Sequence, residues 1–197
     1  MKAIKLVIWK LSVLITAMLL GSCSTKIEEY KVQKPALNIE SYFDGPVIAW
    51  GMIQDYNDKV TRRFCVELVG IWIDNKGELK ETFYFDDGEI TYRNWQLVRT
   101  SNNQFTGTAE DVIGTAKGKQ NGFAFQWQYQ LSVDIDDKNY HFTLDDWMYQ
   151  IDQYRVFNKT EMKKFDIKVA DITLFFDKQQ PLRQCEEEYY SDLNKAS

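Results

Sequence analysis

From Val47 onward, large apolar side chains recur at every second position with few interruptions. The clearest stretch is 123–133, where Phe123, Phe125, Trp127, Tyr129, Leu131 and Val133 alternate with Ala124, Gln126, Gln128, Gln130 and Ser132. Successive strand residues point to opposite faces, so six large groups share one face and polar or small groups the other, as in a half-solvated antiparallel strand. Leu79, Phe83 and Phe85 set against Lys80, Thr82 and Tyr84 repeat the pattern. So do Phe64, Val66 and Leu68 against Arg63, Cys65 and Glu67. Turn signals separate such runs at Asn75-Lys76-Gly77, Asp87-Gly88, Asn102-Asn103, Asn121-Gly122 and Asp137-Lys138-Asn139; this spacing predicts about nine or ten strands. No amphipathic helical run follows the first segment of the chain. Residues 158–161 fit a helix N-cap box and one short turn, while 157–165 read equally well as a strand.

Consecutive hairpins, a one-sided aromatic face and no crossover helices predict an all-β fold. The expected form is a single antiparallel up-and-down barrel or highly curved sheet, calycin- or lipocalin-like, with a two-sheet β-sandwich as the alternative. A transmembrane barrel fits poorly, because the outward positions are rich in Lys, Asp, Glu and Gln, which cannot face lipid. Whether the aromatic interior is a filled core or holds an apolar ligand stays open at this level.

The N-terminus has a different character. Lys2 and Lys5, then Lys10, precede an uncharged run over 11–20, and Leu20-Gly21-Ser22-Cys23 resembles the bacterial lipobox. A run this short suits a signal segment and not a span, which needs about 20 residues. The expected division is a signal peptide over 1–22, a lipidated Cys23 with a polar tether over 23–44, a β-domain over 45–177 and a polar acidic tail over 178–197. Ser24, in place of Asp, favours the outer membrane by resemblance to Gram-negative sorting, so the expected location is its periplasmic face. Removing 1–22 takes three lysines and moves the net charge from −5 to −8. Membrane attachment then rests on the lipid, and an acidic chain without a Lys/Arg run has no footprint for nucleic acid.

Composition trims the chemistry further. A single histidine, His141, cannot supply a multi-His metal site, and no metal or cofactor is expected. Asp86-Asp87-Gly88-Glu89 reads as a hairpin turn before a cation site. Once Cys23 is acylated, Cys65 and Cys185 are the remaining thiols. In an oxidising compartment they are candidates for a disulfide that staples the tail to the domain. Asp145-Asp146 is the most informative pair: neighbours on a strand face opposite ways, so one carboxylate must enter apolar surroundings. A buried carboxylate raises its pKa or takes a cationic partner, and Arg62, Arg63, Arg93 and Arg99 all lie in strand patterns. Arg62, Arg63, Arg93, Asp145 and Asp146 are therefore the ion-pair candidates. Phe125, Trp127, Tyr129, Arg93 and Asp146 are the candidates for contact with an apolar, acyl-type ligand.

The body from Pro35 to about Phe176 resembles the bacterial lipoprotein family of domain of unknown function 3833. The resemblance is carried by Ala49-Trp50-Gly51, Arg62-Arg63-Phe64, Asp86-Asp87-Gly88-Glu89, Arg93 with Trp95, and Gly107 with Ala109 and Asp111-Val112. It continues through Asp145-Asp146-Trp147-Met148, Asn158, Met162 with Lys164-Phe165, and Thr173-Leu174 with Phe176. The chain departs from the pattern at Asp166 and Ala170, where the family usually has Gly, and at Lys159, where Arg is common. The resemblance implies no established activity, and leans toward envelope lipid metabolism. The expected function is a non-catalytic, lipid-anchored envelope protein binding an apolar ligand. The alternatives are a lipid-modifying enzyme using Asp145 or Asp146 with an arginine, and a scaffold that docks another envelope protein. Replacing Cys23 by Ser should abolish acylation and release the protein from the membrane fraction. A Cys23→Ser chain that stays membrane-bound through a high-salt wash would refute the lipid anchor.

Overall fold

A computed structural model describes residues 25–135 and 137–196, by backbone alone at 190 and 192–196. Cys23, the expected lipid site, and the signal segment lie outside the described residues. Ten strands follow one another along the chain: β1 (Gly45–Asp55), β2 (Val60–Ile73), β3 (Lys76–Phe85), β4 (Ile90–Ser101) and β5 (Gln104–Thr108), then β6 (Val112–Asn121), β7 (Ala124–Ile135), β8 (Lys138–Gln150), β9 (Arg155–Lys164) and β10 (Ile167–Asp177). Each pairs antiparallel with its neighbours in sequence, and β1 pairs with β10, so the sheet closes into an up-and-down barrel. Closure leaves the ladder with no edge strand, which is how a meander of this length avoids templating aggregation. The sandwich alternative is thereby set aside. Residues 158–161 belong to β9, where pairing with β8 and β10 overrides the local cap signal. The β2–β3 turn is Asp74-Asn75, with Asp74 at a φ of 55°, so Lys76 and Gly77 already belong to β3.

Alternation decides what faces in. Val47, Ala49, Val66, Leu68, Leu79, Trp95, Phe105, Phe125, Trp127 and Phe176 are buried on the inner face. Their partners in the alternation, such as Gln128 and Gln130, lie on the solvent side. Small residues make room for the largest rings. A Cβ at Gly118 would sit 2.3 Å from the Trp127 ring, and one at Gly107 would sit 2.8 Å from it.

The two ends of the barrel differ. The chain enters β1 and leaves β10 at the same end, and residues 37–43 pack there instead of forming the expected free tether. Leu37, Ile39, Tyr42 and Phe43 join the core at that end, while Ile27 and Tyr30 pack against the outer wall of β6–β8. The short helix α1 (Ile39–Tyr42) is capped by Asn38, whose side chain accepts from Ser41 N at 2.9 Å. Leu37 N bonds Gly122 O at 2.9 Å, the Tyr42 hydroxyl donates to Tyr154 O at 3.0 Å, and Lys178 Nζ donates to the carbonyls of Tyr42 and Asp44 at 2.6 and 2.8 Å. The segment looks polar in sequence because its apolar residues are spaced irregularly; together they form a plug. The other end, after β1, β3, β5, β7 and β9, is the mouth.

The acidic tail is also not loose. Helix α2 (Gln184–Ala196) lies against the outer wall, and Cys185 forms a disulfide with Cys65 of β2, their Cα atoms 5.4 Å apart. Cys185 packs with outward-facing Ile48, with Trp50 and Tyr84 alongside. Glu186 N donates to Glu67 Oε1 at 3.0 Å, and the Tyr189 hydroxyl to Gly88 O at 2.7 Å. Tyr189, one turn on from Cys185, packs its ring against Tyr84 with centroids 5.6 Å apart. A bridge that closes so long a loop stabilises the fold by at most about 5 kcal/mol in the chain-entropy model. Reductant should therefore lower the urea midpoint of the wild-type chain and leave that of Cys185→Ser unchanged. Equal wild-type midpoints with and without reductant would contradict a stabilising bridge.

Candidate functional site

Inside the barrel, between the plug residues Ile39 and Phe43 and the mouth, is a cavity of about 500 Å³. Its lower wall is the closely packed part of the core. Toward the mouth, Ile53, Phe83, Phe85, Tyr129, Val133, Met162 and Ile172 pack against that core while only partly buried. Phe125, Trp127, Tyr129, Arg93 and Asp146, the residues expected to meet a ligand, all line this cavity.

A band of polar groups interrupts the apolar wall. Arg93 on β4 lies directly across from Glu81 on β3, both pointing inward. Its Nη2 donates to Asp111 Oδ2 at 2.6 Å, and its Nε is 3.0 Å from both oxygens of the same carboxylate. Glu81 has no such clasp: its carboxyl takes a hydrogen bond from Trp95, but Oε2 is enclosed without a hydrogen-bond partner, and the residue lines the cavity. Burial pushes its carboxyl up to about 7, against the opposing pull of Arg93. On the far wall, Asp146 is 7 % exposed and accepts hydrogen bonds from the Asn158 amide and the Thr160 hydroxyl. Asn158 Nδ2 also donates to Trp147 O at 3.1 Å. Burial lifts Asp146 to about 6, although both donors pull it down. The Tyr129 phenol is raised as well, first by burial and then by Asp146.

The expected pairing of Asp145 or Asp146 with an arginine does not form. Asp145 faces outward and accepts from Gln126 Nε2 at 2.6 Å and Gln128 Nε2 at 3.1 Å. Asp146 faces inward, but its cross-strand neighbours on β9 are Thr160 directly and Asn158 diagonally, and adjacent strands meet before distant ones. Arg93 sits several strands away, beside the β5–β6 connection that carries Asp111. Arg62, at the mouth, donates to Asp87 at 2.5 and 2.7 Å and to Glu89 at 2.6 Å, with its guanidinium 3.6 Å from the Phe85 ring centroid. Arg63 faces outward and bonds Asp86 at 2.9 Å. Arg99 clasps Glu40 of the plug at 2.7 Å. The Asp86–Glu89 carboxylates thus serve arginines at a turn. Glu81 is the site residue that pattern reading passed over. Its signal was present, since a charged residue occupies an inward position of the 79–85 alternation.

This arrangement defines a class: a lipocalin-like barrel, plugged at one end, with a mostly apolar cavity crossed by a polar band. A structure of the same architecture is the S-type phycobiliprotein lyase CPES from Guillardia theta. It matches 71 % of this chain and 90 % of its own, with a TM-score of 0.52 and 7 % identity, a likeness of fold alone. No curated protein matches the chain. Within that class, the chain belongs to the family described as protein of unknown function DUF3833, whose profile matches residues 17–178. The family's departure at Asp166 falls in the β9–β10 turn, where Phe165 and Asp166 adopt φ of 52° and 62°, a conformation that glycine adopts without strain.

Because burial raises Glu81 and Asp146 above their unfolded values, the folded chain holds these protons more tightly. Their contribution to stability is complete below the ordinary carboxylate range and is lost as pH rises through about 6 and 7. Each is worth on the order of 3 kcal/mol at most. Glu81→Gln and Asp146→Asn should therefore gain stability relative to wild type as pH is raised from 5 to 8. Thermal melts that stay parallel across this range for both variants would show that neither carboxyl is raised.

Proposed function

We propose that the protein is a lipid-anchored envelope protein that holds an apolar, chain-bearing ligand inside its barrel. The carrying observation is the cavity of about 500 Å³, walled by aromatic and aliphatic side chains with a few converging polar groups. That volume falls in the range of about 300–1,000 Å³ typical of small-molecule sites, and the balance of apolar wall to polar anchors is also typical. The lipobox supports an anchor at Cys23, on the periplasmic face of the outer membrane. The described chain starts at Thr25 on the outer wall, beside Gln104, Lys119 and Gln126 toward the plug end, so in this reading the plug end lies toward the bilayer and the mouth opens away from it.

A second reading, a lipid-modifying enzyme, is favoured by one observation: two cavity carboxyls, Glu81 and Asp146, are held near neutrality, where a proton-transfer group is most effective. In its expected form, with Asp145 or Asp146 paired to an arginine, it has no support. The ligand-holding reading needs no reacting group, and it accounts for the whole aromatic wall.

The neutral dye Nile red should brighten on entering the barrel. Met162→Trp, which fills space near the mouth, should weaken dye binding by at least about tenfold without lowering the melting temperature. Dye binding that is absent in wild type, or unchanged in Met162→Trp, would overturn the reading. Turnover of the ligand that disappears in Asp146→Asn would instead favour the enzyme.

A further inference from the structure

The charged groups around the cavity are unequal in number and unequally satisfied. Two arginines, Arg62 and Arg93, line it, against five carboxylates: Glu81, Glu89, Asp111, Asp134 and Asp146. Both arginines are claimed. Arg62 is clasped by Asp87 and Glu89 at the mouth. Arg93 is clasped by Asp111 through three short contacts, with Glu81 opposite. No lysine lines the space. An anionic headgroup entering the barrel therefore meets no unclaimed cation and an excess of negative charge. In a low-dielectric interior that excess is felt strongly.

The unsatisfied atom has the opposite sense. Glu81 Oε2 is an acceptor, enclosed and without a donor. A buried acceptor left unpaired is costly, and a ligand donor at that point recovers the loss. The walls beside it are aromatic: Trp95 packs edge-on against Tyr129 with ring centroids 5.4 Å apart, and Phe83 lies 5.5 Å from the Arg93 guanidinium. Ring faces attract cations as well as apolar chains.

Building on the ligand-holding reading, we infer that the ligand's polar end is an aliphatic ammonium group received by Glu81, and not a carboxylate or phosphate. The ammonium sits at mid-height against Glu81 and the aromatic faces. The chain runs toward Ile53, Met162 and Ile172 at the mouth. Asp111 offsets the repulsion of Arg93 for the incoming cation, because the clasped pair carries no net charge.

Chain-matched competitors test this directly. Dodecylamine, dodecanol and dodecanoate, each below its micellar concentration, would displace Nile red from the full mature chain near neutral pH. The expected order is amine, then alcohol, then acid, with at least about tenfold between amine and acid. Glu81→Gln should bring that ratio below about threefold, with a cooperative melt showing that the variant is folded. Asp111→Asn, which releases Arg93, should gain affinity for dodecanoate; it provides a second arm if the Glu81 variant does not fold. Dodecanoate binding as tightly as dodecylamine, or equal affinity for all three, would overturn the assignment while leaving ligand binding intact. A wild-type chain that does not take up Nile red overturns both.

Discussion

Pairing of β1 with β10 is the interaction on which the remaining geometry depends. Once Ala49 and Phe176 face each other inside the ladder, with Ile48 and Asp177 outside, the facing of every other strand follows around the ring. A slip of one residue anywhere would turn a whole set of aromatics outward, so the apolar majority holds the register. The charged residues at inward positions are carried along by it. Glu81, Arg93 and Asp146 cannot swing to solvent on their own, because their strand neighbours Leu79, Trp95 and Leu144 fix the facing of each strand.

Confinement of this kind forces a local settlement, and the barrel makes two different ones. Arg93 and Asp111 neutralise each other across adjacent elements, with bidentate geometry that recovers much of the desolvation of both ions. Asp146 has only neutral donors, Asn158 and Thr160, and burial moves its carboxyl toward the protonated form instead. These polar groups sit at mid-height, where side chains from opposite walls would otherwise meet.

Much of this was legible in the sequence, and what was not has physical causes. Alternation marked the strands because each has one dry face, and Phe125, Trp127 and Tyr129 fall on the cavity wall through that same rule. The Cys65–Cys185 bridge could be raised by counting thiols but not placed, since nothing local brings the two together. The partner of Asp146 was misassigned: charge complementarity named an arginine, while strand order, which sets who is adjacent, put Thr160 and Asn158 there. The plug was hidden because residues 25–44 bury single side chains at irregular intervals. Helix α2 was hidden because a helix strapped to a surface by one disulfide needs no long apolar stripe.

The unpaired acceptor on Glu81 separates this interior from a merely filled one. A barrel selected for packing alone would place an apolar residue at 81, between Leu79 and Phe83, and would give up only the Trp95 hydrogen bond and the attraction of Arg93. Retaining a carboxylate there costs desolvation at every moment the barrel is empty, as the rise toward neutrality records. Arg93 opposite offsets part of that cost, while its hydrogen bonds go to Asp111. A carboxyl that borders the cavity with one oxygen enclosed and unpaired is stabilised further by a donor that enters that space. The electrostatics of the fold and the chemistry of its ligand thus meet at one oxygen atom, with the closed ladder as the reason it cannot move away.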